Sequence, residues 1–126
     1  MFIQTNPNPN NNLVGDCVIR AISILMDKSW EYVYTAVMMQ GFYMHDMPSS
    51  NAVWSAYLKS QGYDMHVIPN TCPYCYTVKQ FCEDNPEGRY LLATGTHVVT
   101  CISGDYMDTW DSGDEVVIYY FTKEDE

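Results

Sequence analysis

A chain of 126 residues with 47% apolar and 14% aromatic side chains is long enough for one domain built on one packed core. Its 16 acidic against 6 basic residues leave a net charge of -10, which disfavours nucleic acid and anionic membrane and makes a basic protein surface or cationic peptide the easier partner. No apolar run approaches the ~18 residues of a membrane span, and the start Met-Phe-Ile-Gln-Thr-Asn-Pro lacks the charge and apolar core of a signal peptide, so a cytoplasmic protein is expected.

Residues 6–12 read Asn-Pro-Asn-Pro-Asn-Asn-Asn, a turn-forming run that makes residues 1–12 an irregular N-terminal loop. From Asp16 to Met26 the apolar positions Val18, Ile19, Ile22, Leu25 and Met26 recur at helical spacing, and Asp16 is placed to cap the first turn of a buried helix. Ser29 opens a second helix that ends near Gly41, and a third starts around Pro48 to Asn51 and stops at Gly62. Tyr63 to Ile68 alternates as a short strand, and Thr77 caps a short helix through Cys82. Arg89–Thr94, His97–Ser103, Asp105–Trp110 and Val116–Thr122 read as strands broken by Gly95, Gly104 and Gly113, an antiparallel meander. Residues 123–126 form an acidic tail. Helices first and strands after is an α+β pattern in a single domain over 1–126.

The residues that carry chemistry lie on these elements in a telling order. Cys17 opens an apolar helix, where the macrodipole and free N–H groups favour a thiolate. His97 stands at the mouth of a strand, unlike His45 in a loop and His66 inside a short strand, and Asp108 lies on the next strand after a tight Ser103-Gly104 turn. A thiol hydrolase needs a nucleophile, a base, a group that orients the base and donors for an oxyanion. Cys17, His97 and Asp108 fill the first three roles, with Asp111 the rival for the third. The Cys17 amide with the side chain of Asn11 or Asn12 would supply the fourth. The plainer reading makes Cys17 core filler, His97 a hydrogen-bonded strand edge and the Asp108–Gly113 run a capped turn.

The blocks Gly-Asp-Cys17-Val-Ile-Arg-Ala-Ile, Thr-His97-Val-Val and Asp-Tyr-Met-Asp108-Thr-Trp-Asp-Ser-Gly resemble small phage and prophage proteins related to the papain-like cysteine peptidases, especially those that process bacteriocin leaders. The resemblance implies a papain-like fold, with the nucleophile on a central helix packed on a C-terminal antiparallel sheet. It also implies Cys17 as nucleophile, His97 as base and Asp108 as orienter. An asparagine-rich loop stands where such peptidases commonly carry a glutamine at the oxyanion. The activity expected is a cysteine peptidase or amidase acting on a peptide or protein through a thioester, with no cofactor.

Five cysteines, an odd number, leave at least one unpaired in the monomer, and a reducing compartment favours free thiols, a nucleophile or metal ligands over a disulfide framework. Cys72-Pro73-Tyr74-Cys75 carries the same four residues as the active site of glutaredoxins, but lies past mid-chain with no later cis-proline segment evident. Cys72, Cys75, Cys82 and His66 are also a conceivable zinc set, though a second close cysteine pair is missing. Tyr32, Tyr34, Met38, Met39, Phe42, Tyr43 and Met44 crowd one region and are expected to pack the core, the alternative being a groove that runs past Cys17. The rival function from another class is a non-catalytic acidic phage protein that blocks a basic host protein with a degenerate hydrolase scaffold. A zinc-stabilised virion component is a third reading.

Overall fold

A computed structural model describes residues 1–69 and 75–123. Ten elements follow in the order β1 (Phe2–Gln4), α1 (Cys17–Met26), α2 (Trp30–Met44), α3 (Asn51–Ser60), β2 (Asp64–Val67), α4 (Val78–Asp84), β3 (Arg89–Ala93), β4 (Val98–Ile102), β5 (Asp105–Asp108) and β6 (Tyr119–Thr122). The class is therefore α+β, with four helices and a six-stranded mixed sheet ordered β1-β5-β4-β3-β6-β2. Among the described residues no helix is long and apolar enough to cross a membrane.

Three details depart from the sequence reading. Residues 1–12 are not all irregular: the apolar start of the chain forms β1, which pairs in parallel with β5 and closes an edge that would otherwise leave its ladder open. The strands do not run as one meander, because β6 pairs with β3 on the far side from β5 and receives β2 at the other edge. The stretch from Val116 joins the sheet only at Tyr119, with Val116 making a single bridge to Thr77. The β4–β5 turn is as expected: Ser103 and Gly104 both have positive φ, 52° and 82°, the two-residue geometry that suits strand twist.

Alternation along the strands separates two cores. Leu91, Ala93, Val98 and Phe121 pack with Ile22, Leu25, Val33, Val37, Val53, Trp54 and Leu58 of α1, α2 and α3. Their neighbours Leu92, Val99 and Cys101 pack instead with Val78 and Phe81 of α4. Successive side chains of a strand point to opposite faces, so the sheet carries three helices on one side and α4 on the other. Two polar ties lock α1 to the sheet. Buried Thr100 of β4 donates to the Ala21 carbonyl, and Arg89 at the head of β3 donates to the Leu25 and Ile24 carbonyls, satisfying the C-terminal end of α1.

Helix α2 overturns the expectation that its aromatic and methionine residues pack the core. Only Val33, Val37 and Gly41, one residue per turn, are buried, while Tyr32, Tyr34, Met38, Met39, Phe42, Tyr43 and Met44 are exposed. A narrow stripe of small residues lets α2 approach its neighbours closely and leaves its large side chains outside. The helix also runs past Gly41 to Met44, with His45 closing it in the left-handed conformation.

Gly41 is needed for close approach: a Cβ there would sit 2.7 Å from the Asp46 carbonyl oxygen and 3.4 Å from the Pro48 nitrogen. Gly41→Ala should therefore destabilise the protein by about 1–3 kcal/mol, the overpacking cost exceeding the ~1 kcal/mol that alanine gains in helix propensity. The urea midpoint measures it, and a higher midpoint would contradict the packing described.

Candidate functional site

Cys17 is the first residue of α1, and its thiol shares a hydrogen bond with the His97 imidazole while Sγ accepts one from the Val98 N–H. His97 lies one residue before β4, pinned by its own backbone: its N–H donates to Thr94 Oγ1 at 3.0 Å and its carbonyl accepts from both the Thr94 N–H and hydroxyl. Asp108 ends β5 at the same end of the β4–β5 hairpin, and His97 Nε2 lies 2.6 Å from its Oδ2. With Nε2 so engaged, Nδ1 is the ring nitrogen left for Cys17. Trp110 packs on the imidazole with ring centroids 4.9 Å apart.

Asp108 is itself held from several sides. Ser112, wholly buried, donates to Oδ2 at 2.8 Å; the Thr109 N–H donates to Oδ1 at 2.8 Å; and Arg20 Nη2 donates to Oδ1 at 3.2 Å. Arg20 also pairs with Asp16, one helical turn before it, and the other Asp16 oxygen accepts from the Trp30 indole at 2.8 Å. Asp16, Arg20 and Asp108 are 8%, 6% and 3% exposed, so one guanidinium joins two buried carboxylates.

The charge states follow from this arrangement. Burial disfavours the imidazolium of His97, but hydrogen bonds to Asp108 and Cys17 outweigh it and raise its pKa to about 9. Burial likewise opposes the Cys17 thiolate, yet the hydrogen bonds from His97 and the Val98 N–H, with the charges of His97 and Arg20, bring its pKa below the usual value. Burial opposes the Asp108 carboxylate too, and the bonds from His97 and Ser112 with the His97 charge hold it below its ordinary range. Each shift favours the ionised form of its group, so the site favours a thiolate beside an imidazolium.

Of the sequence-predicted residues, Cys17, His97 and Asp108 come together. Asp111 does not join them: its carboxylate accepts from the Tyr106 hydroxyl and the Gly113 N–H. Asn11 is exposed in the left-handed conformation, Asn12 is exposed with its carbonyl bonded by Asn6, and neither lines the cavity at Cys17. Asp16 does not cap α1, because its carboxylate is committed to Arg20 and Trp30. The first-turn amides of α1 are thus free of a side-chain cap where the helix faces the cavity. His45 closes α2 at the surface and His66 stacks on Tyr120. Cys82 and Cys101 are buried in the α4 core and hydrogen-bond to each other, a bond that with burial pushes the Cys82 thiol up. Cys75 is exposed, and Cys72 lies outside the described residues. Among the described residues no three histidine, cysteine or acidic side chains are grouped to hold a metal.

The reading by sequence missed Arg20, Trp30, Ser112 and the Val98 amide. The four-residue spacing of Asp16 and Arg20 on one helix was a usable signal for the first pair. Trp30, Ser112 and Val98 reach the site only through the packing of separate elements. A cavity of about 570 Å³ opens beside Cys17, walled by the first turn of α1, by Trp30, Tyr34 and Met38 of α2 and by the Thr94–Val98 segment. No family model, curated protein or solved structure gives a significant match to this chain.

Arg20→Met should cost about 3–5 kcal/mol in denaturant unfolding, because buried Asp16 would lose its cation and Asp108 would keep only His97 as a charged partner; a loss under ~1 kcal/mol would mean that the pairing contributes little. Alkylation of Cys17 followed by mass spectrometry should show a pH inflection below the ordinary thiol value and a plateau continuing to about pH 9, where His97 deprotonates. In His97→Ala the inflection should move up, since burial, which raises the thiol pKa, is no longer offset by the imidazolium. An identical profile in the two proteins would refute the ion pair.

Proposed function

We propose that this chain is a papain-like thiol hydrolase, a cysteine peptidase or amidase, of phage or prophage origin. The observation that carries the reading is the continuous chain of hydrogen bonds from Cys17 through His97 to Asp108, with both ends of the His97 ring engaged. The nucleophile at a helix start and the histidine and acid at one end of a hairpin agree with the family pattern that the sequence resembles. The ancestry rests on that resemblance.

The chemistry follows from the geometry. Sγ of Cys17, as the thiolate that His97 favours, adds to the carbonyl carbon of the scissile amide, and the carbonyl electron pair moves onto oxygen. The uncapped amides at the start of α1, Cys17's own among them, are the donors for that oxyanion, a role the sequence alone assigned in part to Asn11 or Asn12. The imidazolium of His97 gives its Nδ1 proton to the departing amine as the C–N bond breaks, leaving a thioester on Cys17. His97, now neutral, takes a proton from water; the hydroxide oxygen bonds to the acyl carbon, the C–S bond breaks, and the acid leaves with thiolate and imidazolium restored. Asp108 holds the ring in the tautomer and orientation that both proton transfers need, and Ser112 and Arg20 hold Asp108.

Digestion of a diverse synthetic peptide mixture, with new termini and Cys17 acyl adducts read by mass spectrometry, tests the assignment. Cys17→Ala should fold as the parent does and produce no new termini, and Asp108→Asn should lose on the order of 10²-fold in rate or more. Turnover by Cys17→Ala equal to that of the parent would overturn the mechanism.

A further inference from the structure

Helix α2 turns an uncharged apolar face to solvent. Val33, Val37 and Gly41 hold the helix against its neighbours α1 and α3. Tyr32, Thr35, Met39 and Phe42 are exposed on the other side, at spacings of three, four and three residues, the repeat of a two-helix seam. Tyr32, Met39, Phe42 and the adjoining Tyr43 are between 40% and 70% exposed. At roughly 200 Å² per large side chain, these four leave on the order of 450 Å² of mostly apolar surface bare on one copy, a patch of the size that marks an interaction site. From Tyr32 to His45 the sequence holds no Asp, Glu, Lys or Arg, in a chain of net charge -10. A basic partner, which the overall charge would favour, therefore finds no acid along this seam to pair with. Lys28 sits at its head, with Nζ 5.4 Å from the centre of the Tyr32 ring.

We propose that this face pairs with the same face of a second copy of the chain, the two α2 helices running antiparallel about a two-fold axis that crosses the seam midway between Thr35 and Met39. In that arrangement Tyr32 of each copy meets Phe42 of the other, an aromatic pair that stacks or meets edge to face, and the small Thr35 meets the long, adaptable Met39, so the seam fills without a gap. Lys28 comes toward Asp46 of the second copy, an exposed acid just past the helix end, and the two helix dipoles oppose each other. A parallel pair would instead set Thr35 against Thr35, bring Lys28 to Lys28 and Asp46 to Asp46, and align the dipoles. Two copies would bury on the order of 1,000 Å², the area at which a specific interface begins, so the dimer is weak, with a dissociation constant on the order of 10 µM. Because the core already holds α2, pairing orders side chains and no backbone. The pairing does not depend on the hydrolase reading.

Sedimentation velocity of the full chain tests the pairing over about 1 to 200 µM, in about 150 mM salt to screen the net negative charge. A phosphine reductant keeps the free thiols of Cys17 and Cys75 from cross-linking the copies. The mass should rise with concentration from that of one chain toward that of two. Met39→Glu, which sets two like charges beside the axis, and Phe42→Gln should each raise the dissociation constant about tenfold or more. Both should leave the urea midpoint unchanged, since the two side chains are exposed. Orientation is read separately, by mixing Tyr32→Cys with Phe42→Cys at high concentration without reductant, oxidising with air and a copper catalyst, and identifying the linked peptides by mass spectrometry. The 32–42 disulfide should predominate. A chain that stays monomeric to about 200 µM, a dimer that either variant leaves as tight as before, or a preponderance of 32–32 and 42–42 disulfides would overturn the assignment.

Discussion

The site depends on one guanidinium. Arg20 stands on the second turn of α1 between Asp16, on its own helix, and Asp108, at the end of β5, and all three are almost wholly removed from water. Two carboxylates so placed would repel each other and the thiolate nearby. A single delocalised cation with a forked set of donors meets both at once and also lowers the cost of ionising Cys17. Lysine, a compact point charge, cannot reach both carboxylates with the same geometry. The pairing also joins the helix that carries Cys17 to the strand that carries Asp108.

Around that anchor the electrostatics are arranged in layers. The outermost support of Asp108 is a buried hydroxyl and a backbone amide, which direct its second oxygen to His97. His97 is fixed through its backbone by Thr94, so its ring is the part left to meet Cys17 and Asp108. Burial works against every ion in the group, and in each case specific hydrogen bonds overcome it. The same exclusion of water that makes unpaired charge costly makes paired charge effective, and so a largely apolar cavity and the Cys17–His97 pair sit side by side.

The sheet explains how elements far apart in sequence reach one place. The Ser103-Gly104 turn, with both residues at positive φ, folds β5 back along β4 so that the exit of one strand lies beside the entry of the other. That turn was legible in the sequence, and with it the neighbourhood of His97 and Asp108. The place of Cys17 was legible too, because an apolar periodicity beginning at Cys17 marks a helix start. What misled was local rule applied without its surroundings. Asp16 has the type and position of a helix cap, but a cation one turn away and an indole from α2 compete for its oxygens. The aromatic and methionine residues of α2 have helical spacing, yet valine and glycine form the narrow buried stripe, and the large side chains line the cavity or face solvent. Asn11 and Asn12 precede the nucleophile closely in sequence, but the loop turns them outward.

The sequence by itself therefore determined the types of the elements after β1, the α+β class and the identity of the three residues that meet, because these follow from short-range periodicity, turn chemistry and the order of reactive side chains along the chain. Tertiary structure alone decided that β1 pairs in parallel with β5, that β6 crosses to the far side of β3, that Ser112 bonds to Asp108 while Asp111 turns to Tyr106, and that the exposed face of α2 forms a wall of the cavity. Those outcomes depend on which free backbone edges and buried polar atoms find partners once separate elements are packed. Several partners of the right type lie within reach of each, and only the three-dimensional arrangement selects among them.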